Sequence, residues 1–368
     1  MAHEPINVLH IDSGREWRGG QQQIAYLLQG LSGKHCPQSV ICPSSSQLKK
    51  VCSNYHIPCI SVPLRGEFDL KSAFAIASIS RYFSVNVVHA HCAHSLALSQ
   101  IARLFYHKPR LVASRRVDFS VYKKMIGAFK YSNPLVDQIV CVSGAIRDIL
   151  IRDGIDPKRV QIVYSGVDLS KFSNALPLDR KQLDIPDHHT IIGTVAALAD
   201  HKDYPTLLQA ARHILNQRQD VTFLALGDGP DKKPLQELAK ELELGSGFRF
   251  LGHYENVGSI LKMFDIFVLA SKTEGLGTSI IDAQAVGLPV VATRAGGIPE
   301  LINHNKTGLL VTPCQPIQLA NALLQLINDN GLSRLLAAQG QQTAGYFNWR
   351  RMTEETLNVY QNVLDTAY

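Results

Sequence analysis

Two carboxylates and two glycines share the short stretch SKTEGLGTSIIDAQ, residues 271–284. Glu274 falls in a loop after an apolar run, Gly275 and Gly277 leave the amides that follow them open, and a helical pattern runs from about Thr278 to Val286. Side chains on a helix tilt toward its N-terminus, so Asp282, about one turn in, leans back toward the end where Glu274 stands. Unpaired amides and the positive end of the helix dipole suit a phosphate. Carboxylates are poor phosphate ligands but good acceptors for sugar hydroxyls. One mouth flanked by Glu274 and Asp282 therefore suits a ligand that carries both groups. The plainer alternative, in which Glu274 only complements the dipole and Asp282 is a solvated face residue, stays open on these residues alone.

Other residues offer weaker signals. DSGREWRGGQQQ, residues 12–23, follows a strand pattern and places Gly19 and Gly20 where a helix should begin, so that their amides can approach an anion or simply form a strand-to-helix turn. Gly227-Asp228-Gly229 and Gly275-Leu276-Gly277 open like a dinucleotide fingerprint but lack its third glycine, and there is no Walker A loop. His91, between His89 and His94 in VVHAHCAHS, ends a strand pattern, where a histidine is more often hydrogen-bonded structure than catalyst. Arg115 and Arg116 in VASRRVDF end another, and can meet a phosphorylated or acidic acceptor or be a solvated pair. Tyr122, Met125, Ile126 and Phe129 form one face of a possible helix with Lys123, Lys124 and Lys130 around it, which fits an interfacial anchor or a helix packed on its own domain.

The elements that must position these residues alternate from end to end, short β-branched runs with amphipathic stretches, as in parallel sheets covered by helices on both faces. Seven strands are expected first: Ile6 to Ile11, Ser39 to Cys42, Cys59 to Val62, Val85 to His91, Leu111 to Ser114, Gln138 to Val142 and Val160 to Tyr164. Residues 173–189 carry proline and polar residues without periodicity and suggest a linker. Six strands then follow: Ile191 to Ala197, Thr222 to Leu226, Arg249 to Leu251, Ile266 to Ala270, Pro289 to Thr293 and Gly308 to Val311. A last helix, roughly Trp349 to Thr366, has no strand after it. The expected architecture is α/β: a Rossmann-like N-terminal domain over 1–172, a nucleotide-sugar-binding one over 190–345, and a C-terminal helix in 346–368 returning toward the first. Such domains bind ligands at the carboxyl ends of their strands, so the ligand cleft is expected between the two.

At 368 residues, 45% hydrophobic and 18% charged, the chain is globular, not fibrous or disordered. It shows neither a signal peptide nor an apolar run of spanning length, so a cytoplasmic place is expected. Seven cysteines in no C-x-x-C spacing point to reduced structural thiols. The net charge of +6 is uneven, since residues 1–185 hold 23 Lys and Arg against 13 Asp and Glu, and the remainder is acidic.

SKTEGLGTSIIDAQAVGLPVVAT resembles the Glu, seven residues, Glu motif of the retaining glycosyltransferases of family 4, which have the GT-B fold. GDGPDKKPLQELAKEL, FLGHYENVGSILKMFDIFVLAS, AGGIPELINHNKTGLLVTP, VSGAIRDIL and VYSGVDLSKF resemble further segments of that family. The resemblance implies that Glu274 holds hydroxyls of the transferred sugar and that Asp282, standing at the second Glu, holds the ribose. It implies that Gly275, Leu276, Gly277 and Thr278 offer amides to the diphosphate, that Lys202 neutralises it, and that Gly19 and Gly20 close over it. His91 matches a histidine beside the donor sugar; Tyr254, Glu255, Asn256 and Val257 match the nucleobase seat, and Gly229 belongs to the donor-binding set. Two positions depart from the pattern: Asp282 is one methylene short of Glu, and Ala197 replaces an arginine, removing a permanent cation for which Arg18 is the candidate substitute.

The implied reaction is retaining transfer of a hexose from a nucleotide-sugar, expected to be a UDP-sugar, to a hydroxyl of a glycan or lipid-linked acceptor in cell-envelope polysaccharide or lipopolysaccharide synthesis. No metal or other cofactor is expected, and the sequence has no Asp-x-Asp triplet to bind one. The partners are then the donor, the acceptor and an anionic membrane surface at the inner face of the cytoplasmic membrane, with no nucleic acid. A nucleotide-sugar epimerase and a catalytically silent partner subunit are the alternatives within the same fold.

Overall fold

The computed structural model describes residues 5–34, 36–123, 130–173, 175–254 and 256–365. They divide into two units, one running to Gly166 and resuming at Trp349, the other spanning Val167–Asn348. In the first, β1 (Val8–Ile11), β2 (Gln38–Cys42), β3 (Cys59–Ser61), β4 (Val87–Ala90), β5 (Arg110–Arg115), β6 (Gln138–Cys141) and β7 (Val160–Ile162) form a sheet in the order β3-β2-β1-β4-β5-β6-β7. In the second, β8 (Thr190–Val195), β9 (Val221–Leu226), β10 (Phe248–Gly252), β11 (Ile266–Leu269), β12 (Val290–Thr293) and β13 (Leu309–Val311) run in the order β10-β9-β8-β11-β12-β13. Pairing is parallel throughout both sheets. Strands covered on both faces need apolar residues on both, hence the unbroken burial of VLHI, VVHA and IFVL.

The covering helices of the first unit are α1 (Gly19–Ser32), α2 (Leu48–Asn54), α3 (Leu70–Tyr82), α4 (Ala93–Phe105) and α5 (Gly144–Arg152). Those of the second are α6 (Tyr204–Leu215), α7 (Lys232–Glu241), α8 (Thr278–Ala285), α9 (Pro316–Asn328) and α10 (Asn330–Ala344). Their buried faces follow the helical period: Ile24, Leu27, Leu28 and Leu31 on α1, and Leu207, Leu208, Ala211 and Ile214 on α6. Asp69 and Asp329 cap α3 and α10 by accepting from the Ser72 and Leu332 amides.

The final helix, α11 (Trp349–Asp365), packs on α1 of the first unit. It buries Trp349, Met352, Val359, Tyr360 and Val363 with Tyr26, Leu27 and Leu31. The approach is so close that a Cβ at Gly30 would fall 2.3 Å from the Thr353 hydroxyl, which only glycine allows. Contacts place the first boundary at 166/167, earlier than 172, because Val167 bridges to Asn348 and its amide donates to the Phe347 carbonyl. The aperiodic stretch after Phe172 is held on the second unit by separate bonds: Leu178 donates to the Ser259 carbonyl, and Arg180 pairs with Asp265.

Each sheet has one place where neighbouring strands send their connections in opposite directions, β1 beside β4 and β8 beside β11. The loops leaving these strands carry most of the candidate residues, at the position where doubly wound sheets hold ligands.

Candidate functional site

In the second unit, β8 leads through Ala196 to Lys202 and β11 leads through Ser271 to Glu274. Lys202 Nζ donates to Glu274 Oε2, and the same oxygen accepts from Ser271 Oγ at 3.2 Å. Both side chains of the ion pair are largely buried, at 14% and 13% exposure. The Glu274 carbonyl accepts from the Gly297 amide at 3.0 Å, fixing the loop to the one after β12. Gly275 is half-buried and Leu276 buried; Gly277 has φ +93°, a left-handed conformation that turns the chain into α8 at Thr278. Glu274 and Lys202, 72 positions apart in the chain, thus meet beside a helix N-terminus.

Asp282 lies in the middle of α8, half-buried, and desolvation pushes its carboxyl from 3.8 up to about 7, with Lys171 opposing the shift. A carboxyl so poised gains from hydroxyl donors that stabilise its charge. Gly229 has a structural reason of its own: a Cβ there would lie 2.2 Å from the Leu198 carbonyl oxygen, where the loops after β8 and β9 touch. Tyr254 and Val257 are half-buried; Asn256 is exposed and caps the short helix Val257–Leu261 by accepting from the Ser259 amide. Glu255 lies outside the described residues. Ala197 is exposed at the end of the β8 run.

In the first unit, register rather than sequence spacing assembles three histidines. His10 on β1 lies opposite His89 on β4, and His91 follows one residue after that strand. His10 Nδ1 and His91 Nε2 share a hydrogen bond of 3.0 Å, while His89 bonds Tyr360 of α11 at 2.6 Å and Ser114 of β5 at 2.8 Å. The three rings come within 4.8 Å through their nitrogens, close enough to suggest a metal cage. A cage needs one free in-plane lone pair from each ring, whereas both nitrogens of His89 are engaged, its ring lies tilted against His91 with centroids 4.0 Å apart, and His10 stacks on His91 at 5.2 Å. The cluster is a hydrogen-bonded stack. Burial lowers all three histidines, His10 to about 3, so the rings stay neutral near pH 7. His91 Nδ1 and His10 Nε2 are buried without a hydrogen-bond partner.

His91 lines a cavity of about 740 Å³, with Asp12, Arg18, Gly20, Cys92, Arg115 and Arg116 also on its wall. Gly19 and Gly20 are the first two residues of α1. Arg18 is exposed and bonded to Glu16 at 2.6 Å. The reading of Arg115 and Arg116 as a solvated pair is overturned. Arg115 is 4% exposed, sandwiched between Phe119 and Tyr131 at 5.0 and 4.9 Å, and Arg116 is half-buried, its guanidinium lowered to about 10 by desolvation. Of the suggested interfacial helix, Tyr122 is exposed, Lys130 is buried and donates to Glu67, and Lys124, Met125, Ile126 and Phe129 lie outside the described residues.

Sequence reasoning missed His10, Ser114, Ser271 and Tyr360. His10 had one usable signal, its place in the strand that leads into the first glycine loop. Tyr360 had none, because its partner is 271 positions away.

Two family models cover most of the chain, Glycosyltransferase Family 4 over residues 17–171 and Glycosyl transferases group 1 over residues 177–343. The D-inositol 3-phosphate glycosyltransferase of Corynebacterium urealyticum is 32% identical over 228 residues, 58% of this chain and 54% of that one, so the match spans about half of that relative's length. The Escherichia coli UDP-Gal:alpha-D-GlcNAc-diphosphoundecaprenol alpha-1,3-galactosyltransferase is 22% identical over 97% of both chains. Among solved structures, Anabaena Alr3699/HepE in complex with UDP and glucose superposes with a TM-score of 0.85 at 20% identity, over 97% of this chain and 100% of that one. The fold is GT-B.

Proposed function

Because this chain belongs to the glycosyltransferases, Glycosyltransferase Family 4 in its N-terminal half and glycosyl transferases group 1 in its C-terminal half, we propose that it transfers a hexose from a UDP-sugar to a hydroxyl of a glycan or lipid-linked acceptor. The transfer retains configuration and needs no metal. Support for the donor comes from the Escherichia coli relative, whose name gives UDP-Gal, and from the Anabaena protein, which holds UDP and glucose. The same relative acts on a diphosphoundecaprenol-linked sugar, which favours a lipid-linked acceptor of cell-envelope type and work at the inner face of the membrane. Among the described residues no helix is long and apolar enough to cross a membrane.

The observation that carries the reading is the Lys202–Glu274 pair at the N-terminus of α8. In the transition state the anomeric carbon becomes cationic and the diphosphate gains charge, so stabilising that charge is the main task. The donor takes the pair apart: Lys202 turns to the diphosphate, Glu274 to the sugar hydroxyls, and the amides of Gly275 to Thr278 complete the anion site. Asp282 receives the ribose. With all three histidines of the first unit kept neutral by burial, His91 serves as a hydrogen-bonding group, and a phosphate oxygen takes the acceptor proton.

Thermal-shift screening with UDP, GDP, ADP and their sugars tests the reading, since a ligand of the folded state raises its apparent stability. Stabilisation by UDP and a UDP-sugar is expected. One observation favours a second reading: Ala197, exposed where the resemblance places an arginine, suits a silent partner subunit, and absence of any nucleotide effect would select it.

A further inference from the structure

Three thiols converge at the β3 edge of the first sheet. Register pairs Val40 with Cys59 and Cys42 with Ser61, so Cys42 and Cys59 share one face of the sheet, and their sulfurs stand 3.7 Å apart. Helix α2, which joins β2 to β3, packs on these residues and brings Cys52, whose thiol donates to Cys59. Cys42 and Cys52 are buried among Ile24, Leu28 and Leu48, whereas Cys59 is half-buried and open to solvent. An acceptor sulfur between two thiol donors is the one that carries the negative charge. Hydrogen bonds from Cys42 and Cys52 hold Cys59 well below the ordinary thiol range, with Lys49 of α2 adding to them and burial opposing. Giving their hydrogens to Cys59, together with burial, pushes Cys42 and Cys52 up. Two further groups face the cluster: Ser46, hydrogen-bonded to Cys42, and Asp12, whose charge acts on Cys42. Cys36, Cys141 and Cys314 are also shifted up, so Cys59 departs from the ordinary behaviour of thiols in this chain. A half-exposed thiolate beside a dry thiol is the arrangement that reversible thiol oxidation needs.

We propose that Cys59 is a modification site that reacts with hydroperoxides and is resolved by Cys42 as an intrachain disulfide. The Cys59 thiolate attacks the terminal peroxide oxygen: an S–O bond forms, the O–O bond breaks, the sulfur is oxidised by two electrons as the peroxide is reduced, and the leaving oxygen takes a proton from water. The Cys42 sulfur then attacks the sulfenic acid: the S–S bond forms, the S–O bond breaks, and the hydroxide leaves as water with the Cys42 proton. The sulfurs must close from 3.7 Å to about 2.05 Å. Strand β3 can supply that movement, being three residues long, at the edge of the sheet and paired with β2 alone. Nothing in this chemistry uses the transferase reading, so the site stands or falls apart from it.

The test takes the full chain, reduced and freed of reductant, through equimolar hydrogen peroxide, alkylation and peptide mapping by mass spectrometry. A peptide joining Cys42 to Cys59 is expected, and dithiothreitol should reverse it. Cys59→Ser, a change at a half-buried position, should give no such bridge and consume less peroxide, while exposed Cys314 is alkylated as in the parent. In Cys42→Ala the sulfenic acid on Cys59 should persist long enough for dimedone to trap it. A bridge from Cys59 to Cys52 supports the site with the other resolving thiol. One measurement needs no variant: alkylation of Cys59 by iodoacetamide should change less than about threefold between pH ~5.5 and pH ~7.5, where the thiolate fraction of an ordinary thiol, such as exposed Cys314, rises about a hundredfold. Cys59 alkylation that rises with pH as steeply as that of Cys314, oxidation of Cys314 or Cys92 ahead of Cys59, or unchanged peroxide consumption by Cys59→Ser would overturn the proposal.

Discussion

Asp282 makes the stability of the second unit depend on pH in a direction opposite to most carboxylates. Its carboxyl titrates at about 7 in the folded state against an ordinary value of 3.8. The folded chain therefore holds this proton where the unfolded chain has lost it, and stability falls as pH rises from about 4 through about 7. About three units at about 1.36 kcal/mol each set an upper limit of about 4 kcal/mol. Asp282→Asn keeps a neutral group of the same shape. Urea unfolding followed on the second unit should give equal midpoints for the two proteins at pH ~3, below the unfolded value, and a clearly higher midpoint for the variant at pH ~7.5. A ribose that donates hydroxyls to the ionised carboxylate pulls the other way, so UDP-glucose should bind the parent chain about tenfold more tightly at pH 8 than at pH 6, and the variant almost equally at both. UDP-glucose is the proper probe because the terminal phosphate of UDP itself titrates at about 6. Parallel urea midpoints for parent and variant across the whole range, together with a flat binding profile for the parent, would refute the reasoning.

Three further outcomes are expected. Glu274→Gln should cut turnover by more than about tenfold in steady-state assays while leaving UDP affinity by calorimetry nearly unchanged, because the lost charged hydrogen bond faces sugar rather than phosphate; an equal loss of UDP binding counts against that role. Activity should persist in EDTA, and its abolition with rescue by manganese would overturn the metal-free mechanism. The chain should co-sediment with anionic vesicles at low salt and less at high salt, and Phe74→Ser with Phe105→Ser should weaken this, since these two exposed rings meet edge to face at 5.9 Å on the basic half; no sedimentation at low salt removes the membrane contact.

The thirteen strands were legible because each is a short apolar run bounded by polar turns, and only their ends moved, as at Val85 to His91, which narrows to Val87–Ala90. The helix after Gly277 was legible too, since its glycines and apolar spacing are local. The ion pair of Lys202 with Glu274 was expected only as two separate ligands of one donor; that they hold each other before any ligand arrives depends on β8 lying beside β11. The histidine stack was illegible for the same reason, being a product of strand register and of a tyrosine from the far end of the chain. Arg115 looked like a surface residue because its shielding rings, Phe119 and Tyr131, reach it only through the fold of the following loop.

The helix Trp349–Asp365 gives the molecule an order of assembly. The second unit is continuous in sequence and is complete once Asn348 has been made. The first unit begins earlier but lacks a wall until residues 349–365 have been made, because α11 covers α1 and its Tyr360 supplies the hydroxyl that His89 bonds. Vectorial synthesis favours the N-terminal part folding first in most chains. Here the half that is made first must wait with Tyr26, Leu27 and Leu31 uncovered while the later half folds, so nascent chains stalled before residue 349 should be the ones that call on chaperones.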